Sequence, residues 1–160
     1  MEPHKHLIVS LIIGIIGYLI SNDPLVLYLS TIFGSFPDFD HYFEFIHTSG
    51  LKKAFQLKEF YDSTHFLDSN RMILIFHSWE YVLIFLVVII TFNFNLLLVF
   101  VFLGYTSHIF LDQIGNYDLN KNFYFITVRI YHRFERTKLV KNEYHEITGS
   151  DRKIKKNNSD

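Results

Sequence analysis

From Tyr81 to Leu111 the chain runs for 31 residues without a single Asp, Glu, Lys or Arg. A stretch of that kind must hide from water, either inside protein or inside lipid. As one straight helix it would reach about 46 Å, well past a hydrocarbon core of about 30 Å. Asn93 and Asn95 interrupt it near the middle, and the pattern predicts two helices that turn back there. Two further apolar runs precede it. Leu7 to Ile20 is broken only by Ser10 and the small residues Gly14 and Gly17, and Leu25 to Phe36 stops at Pro37, which disfavours helix in the residue before it. Between them Ser21-Asn22-Asp23-Pro24 reads as a turn rather than as a cleavage site for a signal peptide. These segments predict an all-α fold: an integral membrane bundle of four short hydrophobic helices in two hairpins. The two early runs, at about 18–24 Å each, are short for a bilayer. A soluble bundle with the same hairpins buried in protein is the competing expectation.

The remainder differs in character. Leu51 to Tyr61 alternates apolar residues with Lys52, Lys53 and Lys58 in the manner of an amphipathic surface helix. Phe123 to Val140 carries Arg129, Arg133, Arg136 and Lys138 on a second amphipathic stretch. Residues 1–147 are expected to form one domain, and 148–160 a disordered polar tail. The 15 Lys and Arg fall at Lys5, between Lys52 and Arg71, and from Lys121 onward, so neither hairpin turn has one. The positive-inside rule then puts the N-terminus, the middle segment and the C-terminus in the cytoplasm of a multi-pass protein of the cell membrane. A formal net charge of −1 argues against a nucleic-acid partner, and the absence of Cys removes thiolate-ligated zinc.

Nine His are many for this length, and their placement is the chemical lead. His4 and His6 precede the first run; Asp38, Asp40 and His41 close the second; His77 and Glu80 open the third; His108 and Asp112 close the fourth. With two hairpins and cytoplasmic termini, all four groups lie at one depth. His108 and Asp112, four apart, share a helix face, as do His77 and Glu80, three apart. Imidazoles and carboxylates without thiolates suit Zn, Mn or Fe, with carboxylates enough for two ions sharing oxygens. Taken singly, each group has an ordinary reading: Asp40 as a helix cap, Asp38 in a turn, one His as an interfacial polar residue. His47, His65, His132 and His145 lack such company and read as solvated; Glu44, Asp62 and Asp68 read as loop charges.

The stretches Gly34 to His41 (with Pro37-Asp38-Phe39-Asp40), His77-Ser78 and Gly104 to Asp112, with a His near the start, resemble the YdjM-like membrane-bound metal-dependent hydrolases. The likeness covers about residues 4–116. It implies His6 (or His4), Asp38, Asp40, His77, His108 and Asp112 as metal-site residues; His6 is preferred because it lies closer to the first helix. More distantly, the His-x-x-x-Asp helix end is similar to that of zinc-dependent phospholipase C and its nuclease relatives, which hold three zinc ions. Two or three divalent ions are therefore expected. The family places His-Arg-Gly-x-Thr before its His-Ser, whereas this chain has Ile75-Phe76 there and Arg71 further upstream. The implied activity is metal-assisted hydrolysis of a phosphoester, borne by a lipid head group or a small phosphodiester. Glu80 or His41 is the expected general base, and Arg71 or Arg129 the expected anion-binding group. The alternative is a non-catalytic, metal-stabilised membrane scaffold or regulator that docks a cytoplasmic partner. A transporter is disfavoured, because the outer halves of the helices carry no ionisable residue.

Overall fold

The computed structural model describes residues 3–53, 55 and 65–144. The expected helix over Leu51 to Tyr61 and the expected tail at 148–160 fall largely or wholly outside them. The described residues are helical, with two isolated β-bridges and no strand. The helices are α1 (Pro3–Ser21), α2 (Pro24–Ser35), α3 (Phe39–Ser49), α4 (His65–Ser69), α5 (Trp79–Thr91), α6 (Leu96–Gly115), α7 (Ile126–Tyr131) and α8 (Arg136–Leu139). By length and composition α1 and α6 are each sufficient to cross a membrane; α5 is apolar but shorter.

Both predicted turns are present. Asn22 takes a positive φ of 53°, Asp23 caps α2 by accepting the Leu25 N–H, and Pro24 opens that helix. Asn93 and Phe94 have φ of 51° and 54°, and the Asn95 side chain caps α6 through the Leu97 and Leu98 N–H groups. At Pro37 the α-helix tightens into a 3₁₀ turn, Phe36–Asp38, before α3 begins.

The chain divides into two compact units. The first comprises residues 3–39, 76–116 and 124–126. Its core is α1, α2 and α6 packed on one another, with α5 alongside α6. Small residues permit the close approach: a Cβ on Gly104 would stand 2.5 Å from the Ser30 carbonyl oxygen, and one on Gly34 would overlap the Ser10 Cβ. The inward positions of α1 are His6, Ser10, Gly14 and Gly17, while Leu11, Ile12, Ile15 and Ile16 face outward.

The second unit comprises residues 40–53, 55, 65–75, 117–123 and 127–144, around a core that includes Phe45, Phe66, Leu74, Phe123 and Leu139. The amphipathic stretch Phe123 to Val140 forms two short helices, α7 and α8, instead of one. Arg133 and Phe134 adopt φ of 54° and 59° between them. There the backbone bonds outside the helix: the Phe134 carbonyl accepts the Met72 N–H, and the Arg136 N–H donates to the Asn70 carbonyl. Tertiary pairing replaces helical pairing. Glu44 is no loop charge. It is buried on α3, and both its oxygens accept the Ile73 N–H at 2.9–3.0 Å.

Candidate metal centre

Four segments of the first unit deliver five side chains to one place: His6 from the first turns of α1, Asp38 from the 3₁₀ turn after α2, His77 just before α5, and His108 and Asp112 from α6. His6, His77, His108 and Asp112 are each 1% exposed. The Asp38 side chain, 17% exposed, is the one open to the outside. Isolated charges so deeply buried are costly; mutual pairing or a shared cation offsets that cost.

The geometry is that of a ligand set. His77 Nε2 and His108 Nε2 lie 3.2 Å apart, and Asp112 Oδ2 lies 3.4 Å from the first and 3.6 Å from the second. For bonds of about 2.0–2.1 Å, the edge of a tetrahedron around zinc is about 3.3 Å, so these three atoms outline one face of such a site. The other Asp112 oxygen, Oδ1, is 3.1 Å from His6 Nε2, and Asp38 Oδ1 is 3.8 Å from His108 Nε2. Within the first unit two overlapping groupings, His77–His108–Asp112 and His6–Asp38–His108, each have donor atoms within 4.8 Å of one another.

The surroundings fix how these donors point. The carbonyl oxygen of Gly34 lies 2.8 Å from His108 Nδ1 and accepts its N–H, which assigns the proton to Nδ1 and leaves the Nε2 lone pair facing the cluster. The His6 ring stacks on that of His108 with centroids 3.8 Å apart, and His6 Nδ1 is buried without a hydrogen-bond partner. Tyr105, one turn before His108, donates its hydroxyl to the carbonyl of Phe76 and so ties down the residue before His77. An unpaired ring nitrogen, an oriented imidazole and donor spacings near 3.3 Å together fit a divalent cation.

The other expected site residues are not among these five. His4 is exposed, so the structure separates it from His6. Asp40 and His41 belong to the second unit. Asp40 sits in the first turn of α3, where its charge raises the Glu44 pKa, and His41 meets Phe66 edge-on. Glu80 is in the first unit, but its carboxylate accepts the Ser78 hydroxyl and, at 3.1 Å, the Ile126 N–H, a bracing role at the start of α5. Arg71 is exposed in the second unit. Arg129, 0% exposed there, lies with its guanidinium over the Phe123 ring and is withdrawn from any dissolved anion. The residues that the sequence did not single out, Ser10, the Gly34 carbonyl and the Tyr105 hydroxyl, act through backbone contacts; the Gly34 and Gly104-Tyr105 positions within the quoted stretches were their one signal.

Compared with protein-family models, with curated proteins and with solved structures, the chain matches none.

Proposed function

We propose that this chain is a membrane-embedded, metal-dependent hydrolase acting on a phosphoester. The observation that carries the reading is the convergence of His6, Asp38, His77, His108 and Asp112 from four chain-distant segments at spacings that suit a divalent cation. The likeness to the YdjM-like hydrolases supports it. So does the outward apolar surface of α1, α5 and α6, which suits a four-helix unit set in lipid with both hairpin turns outside and both termini in the cytoplasm.

When bound, a divalent ion supplies a water acidified to a pKa of about 7 and a Lewis acid for the phosphoryl oxygen. The chain's own residues do the rest. His77, His108 and Asp112 Oδ2 make one ligand set, with His108 held in its tautomer by Gly34. His108 has one free nitrogen and serves one ion. His6, Asp38 and Asp112 Oδ1 would hold a second ion. Asp38, the partly open member, marks where substrate reaches the set. Zinc suits the imidazole and carboxylate donors best, with manganese or iron next.

A closed structural metal site is the second reading, favoured by the near-complete burial of four of the five side chains. One experiment addresses both. Protein extracted in mild detergent is assayed by elemental analysis, and then as Asp38→Asn and Asp112→Asn. The hydrolase reading expects one or two divalent ions per chain, and Asp38→Asn losing turnover while keeping its melting temperature. Equal loss of thermal stability in both variants would mark a structural site, and wild-type protein devoid of metal would defeat both readings.

A further inference from the structure

The ligands of the first unit are ringed by exposed hydrocarbon at their own level. Leu7 and Ile8 follow His6, Phe39 follows Asp38, and Phe110 and Ile114 stand two residues to either side of Asp112. All five are between 49% and 65% exposed. At 1.5 Å of rise per residue, those on α1 and α6 lie within about 3 Å of a ligand along the helix axis. Apolar side chains exposed at that height suit a lipid surround. Length agrees. From His6 to the turn at Asn22 is about 24 Å, and from His108 back to Asn95 about 20 Å. With those turns at the far boundary of a hydrocarbon layer of about 30 Å, the ligands stop about 6–10 Å short of the near one.

The opening is apolar too. Asp38 is flanked by Phe36, 36% exposed, and by Phe39. The Phe36 ring packs against Phe76 at 4.7 Å and against Phe33 at 6.3 Å. Lys5 is the one Lys or Arg among the described residues of the unit, so no cluster of cations draws in a dissolved anion.

Building on the hydrolase reading, we infer that the substrate is a membrane lipid, which approaches sideways from the acyl layer past Phe36 and Phe39 and presents its phosphoester at Asp38. The acyl chain packs on the aromatic rim while the head end meets the buried donors. A small phosphodiester from water lacks the part of the molecule that this rim recognises.

Cobalt(II) reports binding by its visible absorption. The cobalt-loaded protein in neutral detergent is titrated with phosphatidic acid and, separately, with glycerophosphate. Phosphatidic acid is expected to shift the band at a concentration about tenfold or more below glycerophosphate, a ratio that two buried methylenes already account for. Phe39→Ser is expected to narrow that ratio while leaving the cobalt spectrum of the lipid-free protein as it is. Equal responses to the two probes, or a response to neither, overturn the lipid proposal while leaving the metal reading in place. Protein that takes up no cobalt removes the metal reading and the proposal with it. Depth is tested independently by Trp79, the sole tryptophan, two residues from His77 and bonded through its indole N–H to Gln113, next to Asp112. In vesicles of phosphatidylethanolamine and phosphatidylglycerol its fluorescence is expected to fall more with lipids brominated along the acyl chain than with a head-group quencher. The reverse order overturns the proposal.

Discussion

The two units differ in how their helices meet. In the first, α1 turns His6, Ser10, Gly14 and Gly17 inward and presents Leu11, Ile12 and Ile15 outward, while α6 buries Gly104, His108 and Asp112 beside Phe100, Val101 and Ile109. In the second, Phe45, Phe66, Met72, Leu74, Leu119, Phe123 and Leu139 are inside, and Lys121, Asn122, Arg133 and Lys138 are outside. The second is the ordinary arrangement for water, where burial of apolar area drives assembly. In the first, the inward face of α1 is small and polar instead. On the membrane reading proposed above, apolar burial there would contribute little, and cohesion would come from close backbone packing and from polar groups that find partners inside. The polar interior then does two jobs at once, since the groups that hold the helices together are also the candidate ligands.

The largest test of this contrast is a charge placed on each outer surface. Ile12→Lys, mid-helix on α1 and 51% exposed, is expected to cost about 2.5–3.5 kcal/mol of membrane insertion. Tyr131→Lys, 81% exposed on the second unit, should change stability by no more than about 0.5 kcal/mol. The fraction of each variant that stays with membranes through an alkaline wash reads the difference. Equal behaviour would mean that both surfaces meet the same solvent.

The second test concerns an acid buried in the water-type unit. Burial pushes the Glu44 carboxyl from 4.5 up to about 7; Asp40 adds to this, while the Ile73 N–H and Arg129 oppose it. A carboxyl whose pKa is raised in the fold contributes stability that is complete below about pH 4.5. That contribution is lost as the pH climbs through about 7, and the interval is worth at most about 3 kcal/mol. Melting temperature should therefore decline from pH 4.5 to 7 in the wild type by more than in Glu44→Gln, whose amide oxygen still accepts the Ile73 N–H. Parallel pH profiles would show that Glu44 does not hold its proton in the folded chain.

The third probes packing without an apolar driving force. Gly34→Ala puts a methyl group into the Ser10 Cβ and displaces the carbonyl that orients His108. Overpacking of this kind costs about 1–3 kcal/mol. Metal retention and melting temperature should fall together; retention without loss would show that the helices can move apart at no cost to the cluster.

How much of this was legible beforehand depended on whether a residue's fate was decided locally. Uncharged runs, Pro37 and the asparagine turns act within a few residues, and the breaks at Asn22, Pro37 and Asn93 stand where those signals are, although α1 begins ahead of Leu7 at Pro3 and α6 runs past Leu111 to Gly115. The placing of His6, Asp38, His77, His108 and Asp112 followed from hairpins returning the chain to one level. Choosing His6 over His4 on physical grounds needed the packing, because two residues of helix put them on opposite sides and only the α1 contact face selects one. Glu44 was unreadable because its partner, the Ile73 N–H, is 29 residues away. The break between α7 and α8 likewise depends on Asn70 and Met72.

The smallest effect is expected at Tyr105, and it bears on whether the polar interior of the first unit works by support as well as by ligation. Its hydroxyl bonds to the Phe76 carbonyl and leaves the His77 ring to the cluster. Tyr105→Phe keeps the ring and its edge-on contact with Phe85, at 5.2 Å, and removes one hydrogen bond of about 0.5–1.5 kcal/mol. Loss of an orienting partner one step out from a ligand weakens metal binding by about 10–100-fold. Tyr105→Phe should therefore lower metal affinity by a factor near the bottom of that range while shifting the melting temperature of the metal-free protein only slightly. A large drop in metal-free stability with unchanged affinity would make Tyr105 a packing residue and leave His77 to be positioned by Ser78 and α5 alone.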